Sequence, residues 1–207
     1  MSAPRPMLPT LAAAGLVLGA AFTAASFLTL GFRAFTAEDA RRLHVAEASM
    51  PLSPVEIVDA SGQRRTLWNA DPAARAWLVT FVYTRCPSAC VALGSELQQL
   101  QASVQASGTK SVRFASLSFD RTHDTPPELS KYALRFRADP ALWTVGAPAS
   151  DAALRTLLRE SGVVVIPDGF GGYAHNAAIH VITPEGKLVA IFDMERHREA
   201  LAFASTL

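Results

Sequence analysis

The sequence predicts an α/β layered domain that follows one N-terminal apolar helix, and three observations support this. Residues 8–30 form a continuous run without a charged side chain. Short β-branched and aromatic segments then alternate with segments whose apolar residues recur at helical spacing, which is typical of a sheet covered by helices. Finally, 50% of the 207 residues are hydrophobic and 18% are charged. That balance excludes intrinsic disorder as the main state.

Charge and cysteine content exclude several classes of function. The chain has 19 Lys and Arg against 18 Asp and Glu, for a net charge of +1. Nucleic-acid binding needs clustered positive charge, so we expect no nucleic-acid partner. Cys86 and Cys90 are the only cysteines in the sequence. They are too few for a small domain held by several disulfides or for a zinc site with four thiolates.

The apolar run at residues 8–30 is long enough to cross a bilayer, because about 20 apolar residues suffice. We therefore predict a tail at residues 1–7, a transmembrane anchor at 8–30, a linker at 31–51 and a folded domain at 52–207. Within the linker, Thr36 is expected to cap a short helix. A cleaved signal peptide is the alternative, although its apolar region usually has only about 7–15 residues.

The domain is predicted to open with a β-hairpin and a central strand. Residues 55–58 and 66–68 flank a turn at residues 59–62, which is the pattern of a hairpin. Residues 76–83 are a dense β-branched and aromatic run, predicted as a strand buried on both faces. Residues 86–107 carry apolar side chains at helical spacing and predict the first long helix of the domain.

The rest of the chain continues the alternation of strands and helices. Thr125 and Ser150 are expected to cap helices, and Glu128 is expected to bond back to the start of the first of them. Residues 169–172 contain three glycines and predict a flexible loop. The remaining predicted elements are strands at 112–119, 142–145, 163–166, 179–183 and 188–192 and helices ending near residues 136, 161 and 206.

The two cysteines lie where the central strand ends and the next helix begins. Free N–H groups at a helix start stabilise negative charge, so we expect a lowered thiol pKa there. Two thiolates at this spacing can form a disulfide or hold one soft metal ion. Two buried structural thiols are the alternative. The spacing is wider than that of thioredoxin, so metal binding is favoured over plain dithiol exchange.

One of the five histidines, His175, is a candidate ligand. It follows the glycine-rich loop and precedes a strand, so it can approach the strand end that carries the cysteines. An imidazole beside two thiolates suits Cu(I). His180 is expected to pack inside its strand, and His44 and His197 to be exposed or otherwise satisfied. His123 lies on a loop between two aspartates, and the sequence favours neither role for it.

Four motifs occur in one order at compatible separations. Residues 81–90, FVYTRCPSAC, resemble the signature Phe-x-Tyr-Thr-x-Cys-Pro-x-x-Cys. The turn DASG at 59–62, the loop SLSFDRTHDTP at 116–126 and the segment HNAAIHVITPEG at 175–186 resemble three further motifs. Together they resemble the SCO copper-chaperone family over about residues 52–205.

This resemblance implies a thioredoxin-like domain, a central mixed sheet with flanking helices, on one transmembrane helix. It implies one copper ion per chain, as Cu(I) with Cu(II) as the second candidate state, held by Cys86, Cys90 and His175. The same two cysteines would form a redox disulfide. Asp120 and Asp124 are candidates to support the ligands, although Asp124 could equally serve the entry of the next helix.

The resemblance also implies a partner and a location. The family helps to assemble the binuclear copper centre of cytochrome c oxidase, by delivering copper or by keeping the cysteines of that centre reduced. The implied partner is the copper-bearing subunit of the oxidase or another copper chaperone. We expect a single-pass protein of the bacterial inner membrane with its domain in the periplasm, where disulfides persist.

Two departures from the family pattern leave other functions open. Ser88 stands where the family usually has an acidic residue, and Val91 where it usually has proline; either change could alter copper affinity or redox preference. We expect the chain not to be an enzyme. The main alternative is a copper-independent thiol–disulfide oxidoreductase of thioredoxin type, although Ala177-Ala178 lacks the proline of that class. A peroxidase that uses Cys86 as nucleophile and Cys90 as resolving thiol is a third option.

Overall fold

The computed structural model describes residues 7–68, 73–87, 89–109 and 111–207. The chain divides into two compact units, the second of which begins at Val45. The first unit contains helix α1 (Met7–Leu28). Its segment Pro9–Leu28 is long and apolar enough to cross a membrane, and its apolar side chains are exposed. The predicted apolar helix is therefore confirmed, with its end at residue 28 instead of 30.

The expected linker contains regular structure. Helix α2 (Ala37–Ala48) occupies 12 of its residues. Thr36 caps this helix as predicted, because its Oγ1 accepts the N–H of Asp39 at 3.0 Å and the Asp39 carboxylate accepts the N–H of Thr36 at 3.1 Å. Strand β1 (Met50–Pro51) then joins the main sheet, just before the expected domain boundary at residue 52.

The strands after β1 are β2 (Val55–Asp59), β3 (Arg64–Leu67), β4 (Ala76–Val82), β5 (Val112–Ser118), β6 (Trp143–Pro148), β7 (Val165–Pro167), β8 (Tyr173–His175), β9 (Ile179–Ile182) and β10 (Lys187–Phe192). Eight strands of the described residues form one mixed sheet in the order β1-β10-β9-β4-β5-β6-β2-β3. Strand β4 is parallel to β5, and β5 to β6, while the other neighbours are antiparallel.

The central strand of the sheet is buried along its whole length. Every residue of β4 is buried, as its sequence predicts. Helix α3 (Ala89–Ser107) covers it with its predicted apolar stripe, since Leu93, Leu97, Leu100 and Val104 are all buried. The other helices are α4 (Pro126–Arg135), α5 (Asp151–Ser161) and α6 (His197–Ala204), with a 3-10 turn at Met194–Arg196 before α6.

Two predicted helix starts have different outcomes. Ser150 caps α5, since its Oγ accepts the N–H of Ala153 at 3.1 Å. Thr125 precedes α4 with extended backbone, but its side chain makes no capping hydrogen bond. The expected bond from Glu128 back to the helix start is also wrong, because this carboxylate bonds Lys131 at 2.6 Å. Pro126 at the first position needs no acceptor, which makes a side-chain cap less necessary.

The parallel pairing of β4 with β5 positions the candidate site. The register places Val82 opposite Ser118, so the segments that follow these strands emerge side by side at one edge of the sheet. The first leads to the two cysteines and the second contains Asp120 and Asp124. The predicted flexible loop at 169–172 instead closes a two-stranded hairpin of β7 and β8, which ends in His175.

Candidate metal site

The two cysteines are adjacent, although only one lies in a helix. Helix α3 begins at Ala89, so the predicted helix start at Cys86 is wrong. Cys86 instead closes a turn, its N–H bonding the carbonyl oxygen of Tyr83 at 3.2 Å. The N–H of Cys90 donates to Cys86 Sγ at 3.3 Å. Both cysteines are reduced thiols and both are buried.

Burial dominates the electrostatics of Cys90. The expected lowering of a thiol pKa at the helix start is wrong for this residue, because burial raises its pKa by more than a backbone hydrogen bond at Tyr83 lowers it. The sulfur of Cys86 accepts an N–H from the first turn of α3. Cys90 therefore keeps its proton in the metal-free protein, and a soft cation would have to displace it.

His175 is close to the cysteines. Its Nε2 lies 3.8 Å from Cys90 Sγ. Its Nδ1 is buried and has no hydrogen-bond partner among the described residues. Burial lowers the pKa of the imidazole, so the ring is neutral at neutral pH and has a lone pair to donate.

These donors fit a soft metal ion. With metal–sulfur and metal–nitrogen bonds of about 2.3 and 2.0 Å, a trigonal centre separates its sulfur and nitrogen ligands by about 3.7 Å. The observed 3.8 Å between Cys90 and His175 is close to that separation. Thiolate and imidazole together suit Cu(I). Among the described residues, however, no three His, Cys, Asp or Glu side chains already form a complete metal-binding group, so the three-residue ligand set stays a prediction.

Asp124 links, by hydrogen bonds, the two segments that follow β4 and β5. Its carboxylate accepts the backbone N–H of Thr84 at 2.9 Å, the hydroxyl of Thr84 at 2.6 Å and the hydroxyl of Ser118. The residue is 2% exposed. Because Thr84 lies two residues before Cys86, Asp124 supports the backbone that carries the first cysteine.

Asp120 belongs to a separate cluster at the rim of the site. Its carboxylate accepts hydrogen bonds from Arg85 at 2.8 Å and from His123 at 2.9 Å. Burial alone would raise the pKa of Asp120, but these two hydrogen bonds outweigh it and hold the pKa below its ordinary value. His123 thus bonds Asp120, and among the described residues no hydrogen bond joins it to either cysteine.

Residues 46–205 match the family model described as SCO1/SenC. The chain belongs to the SCO1/SenC family. The SCO1 protein homolog of Bacillus subtilis (strain 168) is 25% identical over 115 residues, which are 55% of this chain and 59% of that protein. The aligned part thus spans less than two thirds of that relative.

Solved structures of SCO proteins share the fold. Bradyrhizobium japonicum ScoI with copper bound superimposes with a TM-score of 0.62 at 22% identity, over 75% of this chain and 98% of that one. BsSco, described as a member of the Sco family of cytochrome c oxidase assembly proteins with a disulfide switch, superimposes with a TM-score of 0.66 at 18% identity, over 77% of this chain and 94% of that one. These structures confirm the predicted thioredoxin-like α/β fold.

The other histidines of this SCO1/SenC chain pack in the core, pair with an acidic residue or are exposed. His180 is fully buried in β9 and packs edge-on against Phe81, with ring centroids 5.1 Å apart. The Nδ1 atom of His197 lies 2.9 Å from Oε2 of Glu96, while its Nε2 is buried without a hydrogen-bond partner among the described residues. His44 is exposed in α2. Of the departures from the family pattern, Val91 lies in α3 and Ser88 lies outside the described residues.

An aromatic cluster around His175 was not predicted. The Phe119 ring lies 5.1 Å from the His175 ring, 5.5 Å from Tyr173 and 5.4 Å from Tyr83. Tyr132 also contacts the site, because its hydroxyl donates to the carbonyl oxygen of Cys90 at 3.3 Å. Burial raises the pKa of Tyr83 and of Tyr132, so both hydroxyls keep their protons. Each aromatic residue fits an ordinary core position, so periodicity alone does not single it out.

We expect the Asp120 cluster to make stability fall in acid. The folded pKa of Asp120 is below its ordinary value of 3.8. Its contribution is therefore fully present above the unfolded pKa and is lost as the pH falls through the folded pKa. Asp120→Asn should show a smaller loss of unfolding free energy than wild type between about pH 5 and pH 3, measured by urea unfolding. Identical slopes for both proteins would contradict this assignment.

Proposed function

We propose that this SCO1/SenC chain is a membrane-tethered copper-binding assembly factor of cytochrome c oxidase. Cys86, Cys90 and His175 hold one copper ion as the cargo of the protein. The observation that carries this proposal is the approach of Cys90 and His175, whose sulfur and nitrogen atoms lie 3.8 Å apart across 85 positions of the sequence. The copper-bound ScoI structure of the same fold also supports it.

Copper binding depends on the protonation state of its ligands. Each ligand must lose its proton or be neutral before it can bind, so affinity rises with pH. Burial raises the pKa of Cys90, which means that copper displaces a proton there at neutral pH. Burial lowers the pKa of His175, so its ring is already neutral at neutral pH and copper displaces no proton from it.

The same cysteines support a redox role. Oxidation of Cys86 and Cys90 to a disulfide releases two protons and two electrons and removes both sulfur ligands. As a reductant, the dithiol attacks a disulfide in the copper-bearing subunit of the oxidase and forms a mixed disulfide with it. Resolution of the mixed disulfide leaves two thiols on that subunit and a disulfide on this chain. Copper delivery and thiol reduction thus use one pair of residues.

We place the domain in the periplasm, tethered to the bacterial inner membrane by α1. The helix supports membrane attachment by its length and apolar composition. The orientation follows from the proposed partner, either the copper-bearing subunit of the oxidase or another copper chaperone. The family context of BsSco supports a role in oxidase assembly.

A copper-independent thiol–disulfide oxidoreductase is the second candidate. It is favoured by one contact, the N–H of Cys90 on Cys86 Sγ, which would stabilise a Cys86 thiolate as the attacking group. Dithiol exchange does not require an imidazole, so it does not explain why a nitrogen of His175 lies close to Cys90. We therefore rank it below copper binding.

The test is a Cu(I) titration of the reduced full chain in detergent micelles against a competing chelator. We expect one ion per chain, with tighter binding at higher pH, and His175→Ala should weaken binding by at least about tenfold. Unchanged affinity in His175→Ala would show that the ligand set is wrong. A wild-type chain that binds no copper but reduces a disulfide substrate would support the second candidate instead.

A further inference from the structure

The hairpin that carries His175 is separate from the main sheet. Its strands β7 and β8 pair with each other, with Val165 opposite His175 and Pro167 opposite Tyr173. The cysteines, by contrast, follow the central strand of the eight-stranded sheet. The distance between His175 and the cysteines therefore depends on side chains that fasten this hairpin to the domain.

Tyr83 connects the hairpin to the domain by hydrogen bonds. Its hydroxyl donates to the carbonyl oxygen of Tyr173 at 3.4 Å and accepts the N–H of the same residue at 3.3 Å. Tyr173 lies two residues before His175. The carbonyl oxygen of Tyr83 also accepts the N–H of Cys86 at 3.2 Å. One residue thus bonds the segment that carries the first cysteine and the strand that carries the histidine.

Packing around this contact is close. The rings of Tyr83 and Tyr173 meet edge to face, with centroids 5.3 Å apart at 83°. A Cβ atom at Gly172 would lie 3.1 Å from the Tyr83 hydroxyl and 2.6 Å from a carboxylate oxygen of Asp168. A side chain at this position would crowd both groups, and the backbone of Gly172 is not in the left-handed region. The missing side chain lets the hairpin close onto Tyr83.

We propose that Tyr83 is the positioning residue of the metal site, which holds the hairpin so that His175 stays within coordination distance of the cysteines. This inference rests on the proposed function. Tyr83 does not itself bind the ion. Two hydrogen bonds to one residue fix the position of β8 against the domain. The Phe119 ring, which meets the His175 ring edge to face, then limits how far the His175 ring can turn.

The test replaces Tyr83 with phenylalanine in the full chain, which removes the hydroxyl and keeps the ring. In the copper-free protein, the amide of Tyr173 should exchange its hydrogen faster, because its acceptor is gone. In the Cu(II)-loaded protein, the nitrogen coupling of the histidine in pulsed EPR should weaken. Cu(I) affinity should fall about tenfold, as expected for the loss of one or two hydrogen bonds. Gly172→Ala should move all three readouts in the same direction.

A double-mutant cycle separates positioning from a general packing effect. If Tyr83 acts through His175, then Tyr83→Phe costs no further copper affinity in a His175→Ala background. An equal loss in both backgrounds would overturn the inference, and so would unchanged exchange and affinity in Tyr83→Phe. Tyr132→Phe is the matched control for exchange, since it removes a buried tyrosine hydroxyl from the cysteine side and should leave the Tyr173 amide unaffected.

The two proposals can fail separately. A wild-type chain that binds no copper refutes the proposed function, and the role of Tyr83 in placing a metal ligand fails with it, whatever the exchange data show. A wild-type chain that binds copper through His175 with the same affinity in Tyr83→Phe refutes only the role of Tyr83. Both proposals are supported if Tyr83→Phe speeds the exchange of the Tyr173 amide and lowers copper affinity only in the chain that retains His175.

Discussion

Replacing Cys90 with serine is expected to lower the affinity for Cu(I) by at least about a hundredfold, as the loss of one ligand from a small thiolate site costs several kcal/mol. Cys90 is 1% exposed in the first turn of α3, so its sulfur is held in a fixed, buried position. A serine hydroxyl is a hard donor and keeps its proton at neutral pH, whereas Cu(I) prefers a soft thiolate. Chelator competition on the reduced full chain measures the loss.

Cys86→Ser should cause a loss of the same size, since both sulfurs belong to the proposed site. His123→Ala is the control, because its imidazole bonds Asp120 at 2.9 Å and lies in the rim cluster. Its copper affinity should stay close to that of wild type. If a serine variant binds as tightly as wild type, or if His123→Ala loses affinity strongly, the ion lies elsewhere.

Replacing Asp124 with alanine is expected to destabilise the fold by about 3 kcal/mol, because three donors in a dry environment lose their acceptor. These donors are the N–H and hydroxyl of Thr84 and the hydroxyl of Ser118. Together they join the segments after β4 and β5. The free energy of unfolding, measured by urea titration of the copper-free chain, gives the loss directly.

Asp151→Ala provides the comparison for this loss. Asp151 pairs with Arg121 at the surface, and its side chain is 74% exposed. Exposed ion pairs contribute less than about 1 kcal/mol, so this variant should unfold close to wild type. Equal midpoints for Asp124→Ala and Asp151→Ala would show that the buried hydrogen bonds of Asp124 contribute little.

Local patterns in the sequence predicted most of the elements but misplaced details that depend on packing. The apolar run, the buried β4 strand and the stripe on α3 follow from periodicity, because side chains on one face of an element share one environment. The start of α3 at Ala89 did not follow from it. Cys86 closes a turn and directly precedes Pro87, which disfavours helical backbone at Cys86, although apolar spacing continues back to it.

Local sequence specifies the identity and spacing of the two thiols, the apolar N-terminal helix and the α/β order of elements. Packing between distant segments sets the remaining contacts: His175 meets Cys90 across 85 positions, Asp124 binds Thr84 across 40, and Tyr83 binds Tyr173 across 90. Packing also buries Cys90, which raises its pKa although the residue lies at a helix start. Periodicity reports the neighbours of a residue within its own helix or strand, whereas these contacts and this desolvation depend on how separate elements pack.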